Sequence, residues 1–492
     1  MGLYNENEMK RSLSARKSKV AFGVLMAFAA VLFALISLVN HYLFKTYTLD
    51  LGLYTHAMYD YTHFRIDDFS MIRQVPKNIL SDHFDLYLML LSPLIYLFGS
   101  YTLLIVQIAG VLLGGWGVYK LIKLYTDDDL LPIFAMAAFF FSFGIIHALS
   151  FDYHSNVLAA MMLPWLLYYL KQRRFGLASL FVVLFVIGKE NMSLWLFFIA
   201  IALMWDYRRD KKALWFLVGY AVFALAYFFI INMIVMPALG GSGGGFSRYA
   251  HLGDNYLDIA KNLLMHPRKA LELLYVNTSG LSRFDGVKEE FYICALATGM
   301  LLTLLKPNYL IMLIPLVAQK MLASDGTFWG ISLQYSVEFM PVLVISSFMV
   351  IAKLKKQLWR LVLSGAMFIS VVLTTFYTIG VPKTNVWLDQ LCVYQGRHYE
   401  QKKFDADYAR ELIKQIPDDA TVCAATMFVP HLAMRDWIED FAWTTNTNAE
   451  YILITDHYFG FLRNGKLLFG NRDEFETVST DGTLYLLRRK QP

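Results

Sequence analysis

The sequence predicts an all-α polytopic membrane protein of about eleven transmembrane helices, N-terminus inside, with a small C-terminal extracytoplasmic α/β domain. Three observations predict it. The 492 residues are 57% hydrophobic and only 17% charged, whereas soluble domains carry about 25% charged residues. Mean hydropathy is +0.44, and the apolar residues gather into runs near the length of a spanning helix. The basic clusters Lys10/Arg11/Arg16/Lys17/Lys19, Lys120/Lys123, Lys171/Arg173/Arg174, Arg208/Arg209/Lys211/Lys212 and Lys353/Lys355/Lys356/Arg360 close alternate gaps between those runs. That alternation follows the positive-inside rule. It accounts for the net charge of +5 without nucleic acid, and no basic patch with interleaved aromatics is present.

A basic leader, 1–19, precedes a transmembrane domain over 20–380. Spans are expected at 20–42, 100–123, 130–150, 155–170, 175–189, 191–205, 213–236, 291–305, 308–323, 334–352 and 361–380. The run 20–42 is too long for a signal h-region and lacks a small-residue cleavage site, so it is expected to stay as the first span. The first outer loop is 43–99. Within it, 84–98 is apolar but short and contains Pro93, which predicts a re-entrant or interfacial helix. Counted as a span, it would carry Lys120, Lys123 and later basic clusters outside. The stretch 175–205 predicts two short helices hinged at Lys189-Glu190-Asn191, which returns Arg208/Arg209/Lys211/Lys212 to the inner face. The second outer loop, 237–290, holds the glycine run Gly240–Gly245. That run is a connector or close-approach loop, since no Lys-Ser/Thr follows at P-loop spacing. No internal repeat is evident, which weighs against an inverted-repeat transporter.

From Val381 the composition becomes that of a soluble domain, 381–492. Phe404–Ile416 has helical period, and Thr421–Ala425, Tyr451–Thr455 and Thr483–Arg488 read as strands. His431, Asp456 and His457 read as loop residues. Cys294, Cys392 and Cys423 have no metal-ligand spacing, and pairing of Cys392 with Cys423 stays open.

The gaps on the other face carry polar chemistry. Asp50 is placed to act as a general base, or as the N-cap of a helix starting near Leu51; the roles are compatible. Ser81 or Asp82 suits a cap for the 84–98 helix. His83 and Asp85 head a membrane-embedded apolar segment, where polar groups are costly unless partnered. Asp50, Asp82 and His83 offer oxygen and imidazole ligands without thiolate, which suits Mg²⁺ or Mn²⁺. His147 reads as a packing residue. Asp152-Tyr153-His154 puts a carboxylate and an imidazole at one turn. Lys189-Glu190 is either an internal ion pair or a functional pair below the surface. Arg248, with Tyr249 and His251 after the glycine run, suits phosphate. Tyr335 and Glu338 open a span on the same face, Tyr335 also fitting an interfacial belt.

The ordered set Leu49-Asp50-Leu51-Gly52, His83-Phe84, Phe151-Asp152-Tyr153-His154, Lys189-Glu190, Arg248-Tyr249 with Leu252-Gly253, and Gln334-Tyr335 resembles a family of bacterial polytopic membrane proteins. That family is grouped with the GT-C glycosyltransferase superfamily, and the similarity covers roughly 30–350. The resemblance implies a GT-C-like fold in the bacterial plasma membrane. It also implies sugar transfer from a polyprenyl-phosphate-linked donor to a cell-envelope glycan, lipid or protein acceptor on the outer face. Asp50 matches the acidic catalytic residue of the first outer loop. Asp82, His83 and Asp85 match the second site, although Asp-His-Phe-Asp departs from the usual acidic pattern. Asp152, His154, Lys189, Glu190, Arg248, Tyr249 and Tyr335 would bind substrate. A flippase or transporter of a lipid-linked sugar, and a membrane scaffold, are the competing classes.

Overall fold

The computed structural model describes residues 2–66, 78–241, 246–380, 388–444, 447–457 and 474–490. Positions 242–245 of the glycine run and the composition change at Val381 lie outside them. Among the described residues, four helical stretches are long and apolar enough to cross a membrane: Arg16–Tyr42, Tyr87–Lys123, Lys211–Ala238 and Gln357–Gly380. A fifth results if Leu131–Phe140 and Phe143–Leu149, bent by 45°, count as one. Ser142 makes that bend: its backbone is extended and its hydroxyl donates to Phe139 O at 2.8 Å.

The other expected spans are shorter helices: Ser155–Lys171, Phe175–Val186, Glu190–Asp206, Pro307–Met321 and Phe339–Ala352. The expected span 291–305 is broken. Helix Val287–Ala295 runs into a π turn at Leu296–Met300, where Gly299 has φ 128°. A full count of eleven therefore needs helices too short to span alone, which must be supported by their neighbours.

The 175–205 stretch is two helices, as the charge pattern expects, but they part at 187–189, and Glu190 and Asn191 open the second helix instead of forming the hinge. The 84–98 stretch is a string of short turns, helical at Tyr87–Leu91 and Ile95–Phe98. Through Gly99, at φ 54°, it runs on into helix Thr102–Lys123, so that Tyr87–Lys123 forms one long helical stretch.

Close approach fixes the helix pair on which the polar residues hang. Added Cβ atoms on Gly110, Gly114 and Gly117 would lie 2.3 Å from Leu158, 2.5 Å from Met161 and 2.9 Å from Pro164. Small residues at this spacing let helix Thr102–Lys123 press against helix Ser155–Lys171, the packing that serves in lipid. Trp165 Nε1 donates to Leu113 O at 2.9 Å across the same seam.

The C-terminal part forms a five-stranded sheet, β1 Val422–Ala424, β2 Ile438–Asp440, β3 Tyr451–Thr455, β4 Phe475–Thr480 and β5 Leu484–Arg489, in the order β2-β1-β3-β5-β4. β1 pairs parallel with β2 and β3, and β5 pairs antiparallel with β3 and β4. Three of these match expected strands. β2 is only three residues and β4 is mostly solvent-facing, so neither carries a clear apolar signal. The expected helix is Ala406–Lys414, capped by Asp405.

This domain grips the end of the first helix. His431 is not a loop residue: it lies in the helical turn Val429–Leu432, is half-buried, and stacks on His41 with centroids 4.0 Å apart. Lys45 Nζ donates to His398 O at 2.7 Å, and Thr48 N donates to Thr426 Oγ1 at 3.2 Å. The three cysteines are free and buried, so Cys392 and Cys423 are unpaired.

Candidate functional site

Asp50 lies inside a π turn, Thr48–Gly52, that follows the first helix. It is not an N-cap; Tyr47 precedes the turn without a side-chain cap bond. The turn is held from a distant loop. Asp152 Oδ2 accepts from Tyr47 N at 3.1 Å and from Leu51 N at 3.4 Å, gripping the backbone on both sides of Asp50. Asp152 itself has φ 38°, a left-handed conformation unusual outside glycine.

That strained turn is clamped by Gln107, in the middle of helix Thr102–Lys123. Gln107 Nε2 donates to Asp152 O at 2.9 Å, and Gln107 Oε1 accepts from His154 N at 2.9 Å. Sequence reasoning passed over Gln107. Its signal was a lone amide in an apolar helix, where an unsatisfied polar group is costly.

The clamp sets His154 Nε2 3.3 Å from Asp50 Oδ1, with the His154 side chain 5% exposed and that of Asp50 23%. The two neighbouring carboxyls are driven apart in acidity. Burial, then the charge of Asp50, pushes Asp152 well above the usual carboxylate range. Burial also pushes Asp50 up, but the charges of His154, His83 and Lys189 outweigh it and hold Asp50 below that range. The two carboxyls are thus pushed in opposite directions, Asp152 towards its neutral form and Asp50 towards its ionised form, a division suited to distinct roles.

His83 and Glu190 form a second contact. His83 Nδ1 is 3.2 Å from Glu190 Oε1, and Phe84 N donates to Glu190 Oε2 at 3.0 Å. Glu190 therefore pairs with His83, and the expected internal Lys189–Glu190 ion pair is not formed. Lys189 makes no ion pair among the described residues, and its charge reaches Asp50, Asp85, Glu190 and Glu338.

Neither Ser81 nor Asp82 caps the following helix; Asn78 caps the preceding turn, and Asp85 Oδ1 accepts from Tyr87 N at 2.9 Å. Asp85 Oδ2 accepts from Tyr153 OH at 3.4 Å, and burial pushes this carboxyl up to about 8. His147 packs as expected, bonded to Thr378 Oγ1 at 3.1 Å.

A third strand of the site comes from later in the chain. Arg248 lies 4.3 Å over the Phe328 ring, whose centroid is 4.3 Å from that of Tyr335. Burial pushes the Tyr335 phenol up to about 12, with Asp50 raising it further and Arg248 opposing, so both charges reach this ring. Tyr335 and Glu338 precede helix Phe339–Ala352 rather than opening it. Tyr249 OH donates to Gln319 O at 2.6 Å, while Asn191 donates to Gln319 Oε1 at 3.0 Å, joining this segment to the Lys189-Glu190 turn.

Lys320 organises the loop. Its buried ammonium donates to the carbonyls of Phe328 at 2.9 Å, Gly330 at 2.5 Å and Tyr335 at 3.0 Å, and to Ser336 Oγ at 3.3 Å. Asn156 Nδ2 donates to Glu338 Oε1 at 2.6 Å, tying the same loop to helix Ser155–Lys171. Neither Lys320 nor Asn156 stood out in sequence, because only folding reveals what each one holds.

No group of three or more His, Cys, Asp or Glu side chains among the described residues is placed to hold a metal ion. Asp50 faces His154, His83 faces Glu190, and Asp82 is exposed.

The structure is similar to that of ArnT from Cupriavidus metallidurans bound to undecaprenyl phosphate. The TM-score is 0.53 at 11% identity, over 94% of this chain and 97% of that one. ArnT from the same organism in the apo state gives a TM-score of 0.50 at 10% identity, over 96% and 98%. At such identities the likeness is one of fold alone. No curated protein matches the chain by sequence. Residues 40–466 match the family model described as "Predicted membrane protein (DUF2079)", a span that includes every motif around Asp50, and the chain belongs to that family.

Proposed function

We propose that the chain is an integral-membrane glycosyltransferase. It takes a sugar from a polyprenyl-phosphate-linked donor and passes it to a hydroxyl of a cell-envelope glycan, lipid or protein at the outer face of the bacterial plasma membrane. The observation that carries this reading is the Asp50 carboxylate, faced by His154 in a turn gripped by Asp152 and within reach of the charge of Lys189, with Arg248 acting on the neighbouring Tyr335 ring. The shared fold with ArnT, whose structure holds undecaprenyl phosphate, supports the lipid class.

In this mechanism Asp50 accepts the proton of the acceptor hydroxyl as its oxygen bonds to the anomeric carbon. The bond from that carbon to the phosphate oxygen breaks, and its electron pair leaves with the polyprenyl phosphate. Lys189 and Arg248 meet the charge that develops there. His154 fixes the direction of the Asp50 carboxylate, and His83 with Glu190 shapes the neighbouring wall. The C-terminal sheet domain then lies outside the membrane, beside the mouth of the site.

Asp50→Asn tests this reading in membranes supplied with a polyprenyl-phosphate sugar. Transfer is expected to fall about 10²–10⁴-fold with expression unchanged; full activity overturns the base assignment. Dependence on Mg²⁺ or Mn²⁺ is a separate proposal, since no step above runs through a metal. Loss of transfer in EDTA, restored by Mg²⁺ and abolished by Asp82→Asn, would support it; transfer unaffected by EDTA would refute it.

A further inference from the structure

A cavity of about 390 Å³ opens at the far ends of the helices that carry the site. Helices Ser155–Lys171, Glu190–Asp206 and Phe339–Ala352 finish there, and helix Pro307–Met321 begins there. Its walls include Lys171, Lys306, Lys353, Asp206, Tyr125 and Tyr309. Lys306 Nζ is 3.3 Å from Asp206 Oδ2 and 4.2 Å from the Tyr309 ring centroid. Lys171 Nζ lies 4.8 Å over the Tyr125 ring. Lys353 has no ion pair or side-chain hydrogen bond among the described residues.

Lys306 feels the charges of both other lysines. Burial pushes Lys306 down, Asp206 pulls it back, and Lys353 and Lys171 push it down again. Lysines at helix C-termini ordinarily offset the helix dipole, and on an open surface they would spread into water. Here they surround a concave, largely polar space with one carboxylate among them, so like charges converge with too little counter-charge.

We propose that this cavity binds a phosphate group, carried by an anionic lipid headgroup or by a soluble phosphorylated molecule. Two ammoniums without an ion pair among the described residues match a phosphate's charge, and the Tyr125 and Tyr309 rings hold the Lys171 and Lys306 ammoniums in the walls.

The test uses the full chain, purified in detergent and stripped of lipid. Native mass spectrometry follows titration with phosphatidylglycerol or phosphatidylcholine, and calorimetry follows titration with inorganic phosphate. Saturable binding of inorganic phosphate identifies the soluble source. Binding of phosphatidylglycerol without phosphatidylcholine or inorganic phosphate identifies the lipid source. In either arm, Lys171→Gln with Lys353→Gln is expected to weaken binding at least tenfold, and Lys211→Gln with Lys212→Gln to leave it unchanged. The proposal is overturned if neither probe binds, if the Lys171/Lys353 variant binds as tightly, or if the Lys211/Lys212 variant weakens binding equally. Should the double variant fail to fold, Lys353→Gln alone decides, because that side chain is exposed.

Discussion

The two ends of one helix bundle treat charge in opposite ways. At the Asp50 end, Asp85, Asp152, Lys320 and Glu338 are buried, and each is tied to named partners. At the other end, Lys171 and Lys353 stay exposed around an open cavity, and Asp206 remains 34% exposed in its pair with Lys306. The same helices, Ser155–Lys171, Glu190–Asp206, Pro307–Met321 and Phe339–Ala352, contribute to both ends. Charge left in water chiefly orients a membrane protein. Charge withdrawn from water must be held by structure, and that expense is worth maintaining where chemistry is done.

Substitutions can break that contrast. The largest effect on stability is expected from Lys320→Met, which leaves three buried carbonyls and a hydroxyl without their donor. Denaturation should report a loss of about 3 kcal/mol; unchanged stability would mean that the ammonium does not hold the loop of Phe328 and Tyr335. Gln107→Leu removes both hydrogen bonds to the Asp152–His154 turn while keeping the volume. Under the proposed mechanism kcat should fall about 10–100-fold with KM nearly constant, whereas a rise in KM alone would make Gln107 a binding residue.

Asp85 gives a pH signature. An unfolded aspartate titrates near about 4, while burial pushes the folded group up to about 8. The folded chain therefore holds an extra proton between those values. The stability this contributes is complete at the acid end and is lost as pH rises through the folded value. Asp85→Asn removes the dependence, so its Tm should gain on wild type steadily from about pH 5 to about pH 8. A constant difference across that window would refute the shifted group. The smallest effect belongs to the other end: Asp206→Asn should cost less than about 1 kcal/mol, and a larger loss in denaturation would erase the contrast between the two ends.

Much of the architecture was legible in the chain. The basic gaps implied that 175–205 is a hairpin, and the helices part at 187–189. The short apolar run Tyr451–Thr455 marked the central strand of the C-terminal sheet. Helix lengths were not legible, because Ser142 and Gly299 bend runs that composition alone reads as continuous. The candidate residues Asp50, Asp152 and His154 were visible as types in polar gaps. Their supports were not: Gln107 and Lys320 lie in largely apolar helices, and they reach partners 45 and 15 residues away.

By itself the sequence determined the membrane class, the two charge environments and the small C-terminal α/β domain, because hydropathy and the placement of lysine and arginine act locally along the chain. Only the tertiary structure decided that Asp152 grips the turn of Asp50, that Glu190 meets His83 rather than Lys189, and that Arg248 reaches the same site through Phe328 and Tyr335. Those decisions depend on which helix faces which. Close packing at Gly110, Gly114 and Gly117 and the clamp of Gln107 set that arrangement, and no local pattern encodes it.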